Sequence, residues 1–180
     1  MKKIKNITTI NDNNDDNNGF KLCYIQLKIA LSPVNMSHSL DTIKEQLNNM
    51  LFKYNSEVGG IPVSYSNITL PQGKEYGRIY GERPWIHIDA TTKLLIFQPR
   101  IGLIMKGRIN TVADSHISLL VYGMFNASIS GDIMRKKYVY NITTKSWEGE
   151  GDLVEGDIIS FKVGSIQHSE GVLNIDGLLT

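Results

Sequence analysis

From Lys21 to Leu31 the chain reads KLCYIQLKIAL, an alternation of apolar and polar positions. Cys23, Ile25, Leu27, Ile29 and Leu31 share one side, and Leu22, Tyr24, Gln26, Lys28 and Ala30 the other. A uniformly apolar side at period two predicts a half-buried strand, which Pro33 ends. The period then lengthens. Leu40, Ile43, Leu47, Met50, Leu51 and Tyr54 line one stripe of a helix, with Ser39 placed to cap its start and Gly59-Gly60 to stop it. Further strands are predicted over 61–70 and 85–97, the second between Pro84 and Pro99. Strand, helix and sheet make a small α+β domain whose helix covers one sheet face. His87, among alternating polar neighbours, reads as an exposed strand residue.

After Ile101 the helical period disappears. GLIMKGRINTV, HISLLVYG, MFNASI, DIISFKVGSI and GVLNIDGLL are five short strands. In the first, Leu103, Met105, Gly107 and Ile109 point inward, with Lys106, Arg108 and Asn110 outward. In the fourth Ile159, Phe161 and Val163 share a face, and in the fifth Leu173, Ile175 and Gly177 do. Gly107 in mid-strand predicts a bend at a barrel corner. Five strands with such a bend fit an OB-type barrel, whereas a β-sandwich needs about seven. In HISLLVYGMFNASI, Ile117, Leu119 and Val121 read as barrel wall, Gly123 as a turn and Asn126–Ser128 as a compact corner.

Composition narrows the setting. The tract NDNNDDNN offers no apolar side chain to bury, so residues 1–19 are expected to form a disordered polar tail. Residues 20–98 and 99–180 then make the two domains. Nineteen Lys and Arg nearly cancel eighteen Asp and Glu, so any affinity for polyanions must rest on a local patch. Cys23 is the sole cysteine, which leaves no intrachain disulfide and suits a reducing compartment. No apolar run approaches the ~20 residues that span a bilayer, and MKKIKN is followed by polar residues rather than a signal-peptide core. The sequons at Asn6, Asn35, Asn67, Asn126 and Asn141 fit chance in an Asn-rich chain.

The candidate chemistry is concentrated between Ser130 and Gly156, a connection long enough to be functional or disordered. Arg135, Lys136, Lys137, Tyr138, Tyr140, Lys145 and Trp147 interleave cations with rings, the combination a single-stranded nucleic-acid groove uses. The competing reading has the three rings closing the barrel mouth and the cations solvated. Glu148, Glu150, Asp152, Glu155 and Asp157 follow at once and confine any positive patch. His38, His87, His116 and His168 are scattered, none beside a nucleophile and an orienting group, so neither catalysis nor a metal site is marked. No cofactor is expected.

Four segments taken in order resemble a known family: LKIALSP; SLDTIKEQLNNMLFKYNSEVGGIPVSY; LLIFQPRIGLIMKGRINTVADSHISLLVYGMFNASI; and GVLNIDGLL. The family is that of the larger stalk subunits of eukaryotic RNA polymerase I, which are related to the stalk subunits of archaeal polymerase and of polymerases II and III. VYGMFNASI after SHISLLV favours the polymerase I branch. The resemblance implies an RNP-like tip domain that docks on the polymerase core, followed by an S1-like OB domain. It also implies a smaller stalk subunit and the polymerase I initiation factor as partners, nascent RNA as a candidate contact, and a non-catalytic, nucleolar role in ribosomal RNA synthesis. One departure concerns RNA: where S1 domains carry two aromatics in a pattern like F-G-x-F, this chain has His116-Ile117-Ser118-Leu119. Many relatives also carry a long charged C-terminal tail, and this sequence ends at Thr180.

Two sets of residues follow. Core and partner docking is assigned to Tyr80, Phe97, Pro99 and Ile101, with Arg78 and Arg83 of GRIYGERPW as the cations. Weak nucleic-acid contact is assigned to Lys106, Arg108, His116, Arg135, Lys136, Lys137, Tyr138, Tyr140 and Trp147. The alternatives are a free-standing S1-type RNA-binding protein and the stalk component of another polymerase.

Overall fold

A computed structural model describes residues 5–15, 18–70, 77–82, 84–169 and 171–180, with side chains from residue 18 onward. The chain divides into two compact units, the second beginning at Pro99.

In the first unit β2 (Phe20–Leu31) and β5 (Ile86–Phe97) pair antiparallel without a break from Phe20↔Phe97 to Leu31↔Ile86. On its far side β5 pairs with β3 (Ile61–Thr69) and with the short β4 (Arg78–Ile79). β5 is therefore the strand on which the whole sheet is registered. The apolar side of β2 is buried as its alternation predicts, and the matching side of β5 (Ile86, Ile88, Ala90, Leu94, Ile96) joins it in one core. Helix α1 (Ser39–Met50) closes that core with Ile43 and Leu47. Thr92 is the polar exception on this face. Its hydroxyl donates to the Ser66 carbonyl at 2.8 Å, where the β3 ladder is interrupted and Asn67 takes φ 55°. The buried Thr92 hydroxyl thus finds a partner in a carbonyl at the ladder irregularity.

Three expectations change here. The polar stretch Lys5–Asp15, assigned to a disordered tail, runs as strand β1 along the edge of β2. Backbone hydrogen bonds to an open sheet edge need no apolar side chain, so composition alone did not foresee it. Ser39 does not cap α1. A 3₁₀ turn over Pro33–His38 leads straight into the helix, leaving Ser39 already helical (φ −58°, ψ −42°). The helix then ends at Met50, where Leu51 turns extended, eight residues before the glycines meant to stop it. Gly60 instead serves β3: a Cβ there would lie 2.6 Å from both the Phe97 carbonyl oxygen and Ile96 Cγ2. Leu40 is exposed, so the predicted stripe buries chiefly its middle.

The second unit is a closed barrel of β6 (Ile104–Val112), β7 (His116–Val121), β8 (Phe125–Ser130), β11 (Ile158–Ser169) and β12 (Val172–Leu179). The order around it is β6-β7-β8-β12-β11 and back to β6. Only β8 and β12 are parallel. This is the connectivity of a Greek-key OB barrel. Met105, Ile109, Ile117, Leu119, Val121, Ile129, Phe161, Val163 and Ile175 fill it. Phe161 sits opposite two glycines: a Cβ on Gly177 would come within 2.7 Å of its ring, and one on Gly107 within 3.4 Å. At Gly107 the closer neighbour is Leu119, whose Cβ would lie 3.0 Å from an added Cβ. Tyr122 and Gly123, both at positive φ (52° and 74°), form the tight turn between β7 and β8, closed by Met124 N–H to the Val121 carbonyl at 3.1 Å. Asn126–Ser128 is not a corner but mid-strand in β8, with Ala127 buried and its neighbours outward. The connection 131–157 is not a bare loop either. It holds a one-turn helix α2 (Gly131–Met134) and a hairpin of β9 (Val139–Asn141) and β10 (Ser146–Glu148).

Gly177→Ala should destabilise the barrel by about 1–3 kcal/mol, because Phe161 must leave its rotamer to admit the methyl. Chemical denaturation of the chain followed by circular dichroism checks this.

Candidate interaction surfaces

The basic-aromatic cluster proves to be a clamp. Trp147 is fully buried, its Nε1–H donating to the Ala113 carbonyl at 3.2 Å. The Tyr140 ring lies tilted against it at 5.3 Å between centroids. Arg135 stands over the same indole, 6.0 Å from its centroid, and donates to Asp114 Oδ1 at 2.7 Å, the Asp114 carbonyl at 3.1 Å and Asp132 Oδ1 at 3.0 Å. The hydrogen bond and charge of Asp114 outweigh desolvation and, with a lesser contribution from Asp132, raise the guanidinium pKa above its ordinary value. Arg135 is a permanent cation whose field two carboxylates already meet. Tyr138 is half-buried over Gly149, where a Cβ would come within 2.5 Å of its ring. Lys137 donates to the Thr180 carbonyl at 3.0 Å, and Lys136 and Lys145 point to solvent. Of the rings proposed as stacking platforms, Trp147 presents no face to a base and the two tyrosines present half of theirs. The arrangement is thus closer to the barrel-closing reading than to an open groove.

Lys106 and Arg108 do lie outward on β6, as the alternation requires. His116 is exposed at the start of β7, its Nδ1 2.9 Å from Ser115 Oγ. Arg108 pairs across to Leu120, four residues further along β7, so His116 is about 13 Å along the strand from that row. The cations assigned to one nucleic-acid surface are therefore not gathered into one patch by the fold.

The docking set separates as well. Phe97 is fully buried, its ring 5.3 Å from that of Phe20, and Pro99 is buried too, so both are packing residues. Tyr80 is exposed beside β4, its ring 5.2 Å from His87, which is half-buried rather than exposed. Arg78 and Ile79 are exposed on β4 itself. Ile101 is 71% exposed. Arg83 lies outside the described residues. Sequence reading missed Asp114 and Asp132, which decide what Arg135 can do. Asp132, three residues before Arg135 at a helix start, was within reach of the pattern, but Asp114 arrives only through the barrel closure. It also passed over the outward positions of β11, although the inward set Ile159, Phe161 and Val163 defines them by alternation.

A sheet-and-helix unit followed by an OB barrel defines a class of two-domain polymerase stalk proteins, and comparison with known proteins agrees unit by unit. Residues 26–84 match the family described as "SHS2 domain found in N terminus of Rpb7p/Rpc25p/MJ0397". Residues 99–152 match "RPA43 OB domain in RNA Pol I". The chain is 35% identical to the DNA-directed RNA polymerase I subunit RPA43 of Danio rerio over 152 residues, 84% of this chain and 36% of that one. It is 28% identical to the Schizosaccharomyces pombe subunit over 162 residues, 86% of this chain and 92% of that one. To the Mus musculus subunit it is 41% identical over 101 residues, 56% of this chain and 30% of that one. The chain belongs to the RPA43 family of RNA polymerase I subunits. It spans less than half the length of the first animal and Dictyostelium discoideum relatives it matches.

Trp147→Ala should cost the barrel about 3–5 kcal/mol, the usual penalty for truncating a buried large aromatic. In a Trp85→Phe background, Trp147 fluorescence should resist acrylamide quenching and stay unchanged on adding single-stranded RNA. An RNA-induced quench would return the indole to the list of contact residues.

Proposed function

We propose that this chain is a non-catalytic stalk subunit of RNA polymerase I, acting in ribosomal RNA synthesis in the nucleus and, more narrowly, the nucleolus. The observation that carries this reading is the tandem itself: an SHS2-type unit and an RPA43-type OB barrel in the family order, each with a complete core of its own. In this reading residues 20–98 form the tip that docks on the polymerase core, and the exposed Arg78, Ile79 and Tyr80 around β4 supply its contact. Side chains of this kind, one aromatic, one aliphatic and one arginine in a small exposed cluster, are those that anchor protein interfaces. The barrel then carries the contacts to a smaller stalk subunit and to the initiation factor. Transcript contact is subsidiary. The arrangement of Trp147 and Arg135 removes the strongest stacking and charge elements of the sequence, leaving Lys106, Arg108 and His116 spread over the barrel wall.

Affinity purification of the tagged chain from its own cells should recover polymerase I subunits. The double change Ile79→Ser, Tyr80→Ala should cut that recovery several-fold while leaving the circular dichroism spectrum unchanged. Recovery of only polymerase II or III subunits, or of no polymerase, would overturn the reading.

A further inference from the structure

The outer wall of the barrel carries exposed aliphatic side chains on three adjoining strands. Ile104 on β6 and Ile158 on β11 are 62% and 63% exposed, and Leu178 on β12 is 42% exposed. Register sets them on one outer wall, with Lys162 between Ile104 and Leu178, and Ile158 four residues further along β11, about 13 Å away. Lys162 of β11 pairs with Ile104 on one side and with Leu178 on the other. Two residues along, Lys106 pairs with Ser160, and two further, Arg108 pairs with Ile158. The result is three branched aliphatic side chains interleaved with three exposed cations over adjoining strands.

Cations outnumber acids here, Asp176 being the carboxylate among the outward positions of these three strands. No outward position of β6, nor Ile158, Ser160, Lys162 or Leu178, is a carboxylate. Lys106, Arg108 and Lys162 make no ion pair among the described residues. Asp176, two residues from Leu178 on β12, is held by the neutral donors Ser165, Gln167 and Ser128 and forms no ion pair with these cations among the described residues. Arg135, by contrast, meets two carboxylates within its own fold. The cations of this wall are left for something outside the barrel.

We propose that the β6–β11–β12 wall is a docking site for an acidic amphipathic segment of a partner protein, its apolar stripe on Ile104, Ile158 and Leu178 and its carboxylates on Lys106, Arg108 and Lys162. Charge complementarity selects the occupant. Exposed aliphatics spaced along one wall suit the apolar stripe of another protein's helix, and the cations between them suit flanking Asp or Glu. A single-stranded nucleic acid would use the same charges, but it also needs rings on which bases stack, and these outward positions hold none. The site goes beyond the stalk reading and does not depend on it, since its test uses the chain alone.

The probe is a synthetic helical peptide with a leucine stripe flanked by glutamates, followed by fluorescence anisotropy on the full chain. Its lysine-flanked counterpart and a single-stranded oligouridine serve as comparisons. The glutamate peptide should bind and the lysine peptide should not. Lys106→Glu, Arg108→Glu and Lys162→Glu together should weaken binding by about tenfold or more, and so should Ile104→Ser with Ile158→Ser. Lys106→Arg with Lys162→Arg should retain it. All these positions face solvent, so thermal melts of the variants check that the barrel stays folded. Absence of glutamate-peptide binding would overturn the proposal. So would oligouridine binding that displaces the peptide and falls with the charge reversal but not with the serine changes, which would make the wall a nucleic-acid surface.

Discussion

The barrel depends on one side chain having room. Phe161 fills its centre because Gly177 on β12, beside β11, leaves space for the ring, with Gly107 on β6 at contact distance on the other side. A methyl at Gly177 would press on the ring and on Ile129, and one at Gly107 would press on Leu119. With the ring seated, β11 can pair to both neighbours at once, and that double pairing closes the barrel. Every outward side chain considered above takes its direction from that closure.

The sheet unit has an equivalent in β5, which holds β2 along its whole length on one side and divides its other side between β3 and β4. The division costs a ladder break at Asn67, and the Thr92 hydroxyl offsets it. β4 is then a two-residue strand at the end of β5, carrying exposed side chains on a backbone tethered at only two positions. A contact placed there has a rigid base and a short reach, as suits docking.

What could be read from the sequence followed the strength of its periodicity. The alternations in β2, β6 and β12 placed every inward residue correctly because a sheet face buried on one side tolerates no slip. The strand count and the Gly107 and Gly123 positions were enough for an OB barrel. Local signals failed where a tertiary contact replaced them. Ser39 lost its cap role to a preceding 3₁₀ turn, and Gly59-Gly60 served a close strand approach rather than a helix end. Phe97 and Pro99 read as docking surface of the first domain and are buried. The cation-and-ring spacing of 135–147 was correctly seen, but spacing does not say whether a ring faces in or out. Asp114, twenty-one residues away, settled that for Arg135.

Strand β1 bears on how such a chain survives its own synthesis. β2 is among the most aliphatic segments of the protein, and an uncovered β2 edge would be a template for pairing with other nascent chains. The segment laid along that edge is built from Asn, Asp, Thr and Lys with only two isoleucines. Its composition is poor for cross-chain stacking and for propagating a sheet. Because it precedes β2, it has left the ribosome by the time that edge is made. The polar strand thus covers an aliphatic edge with a segment of low aggregation propensity.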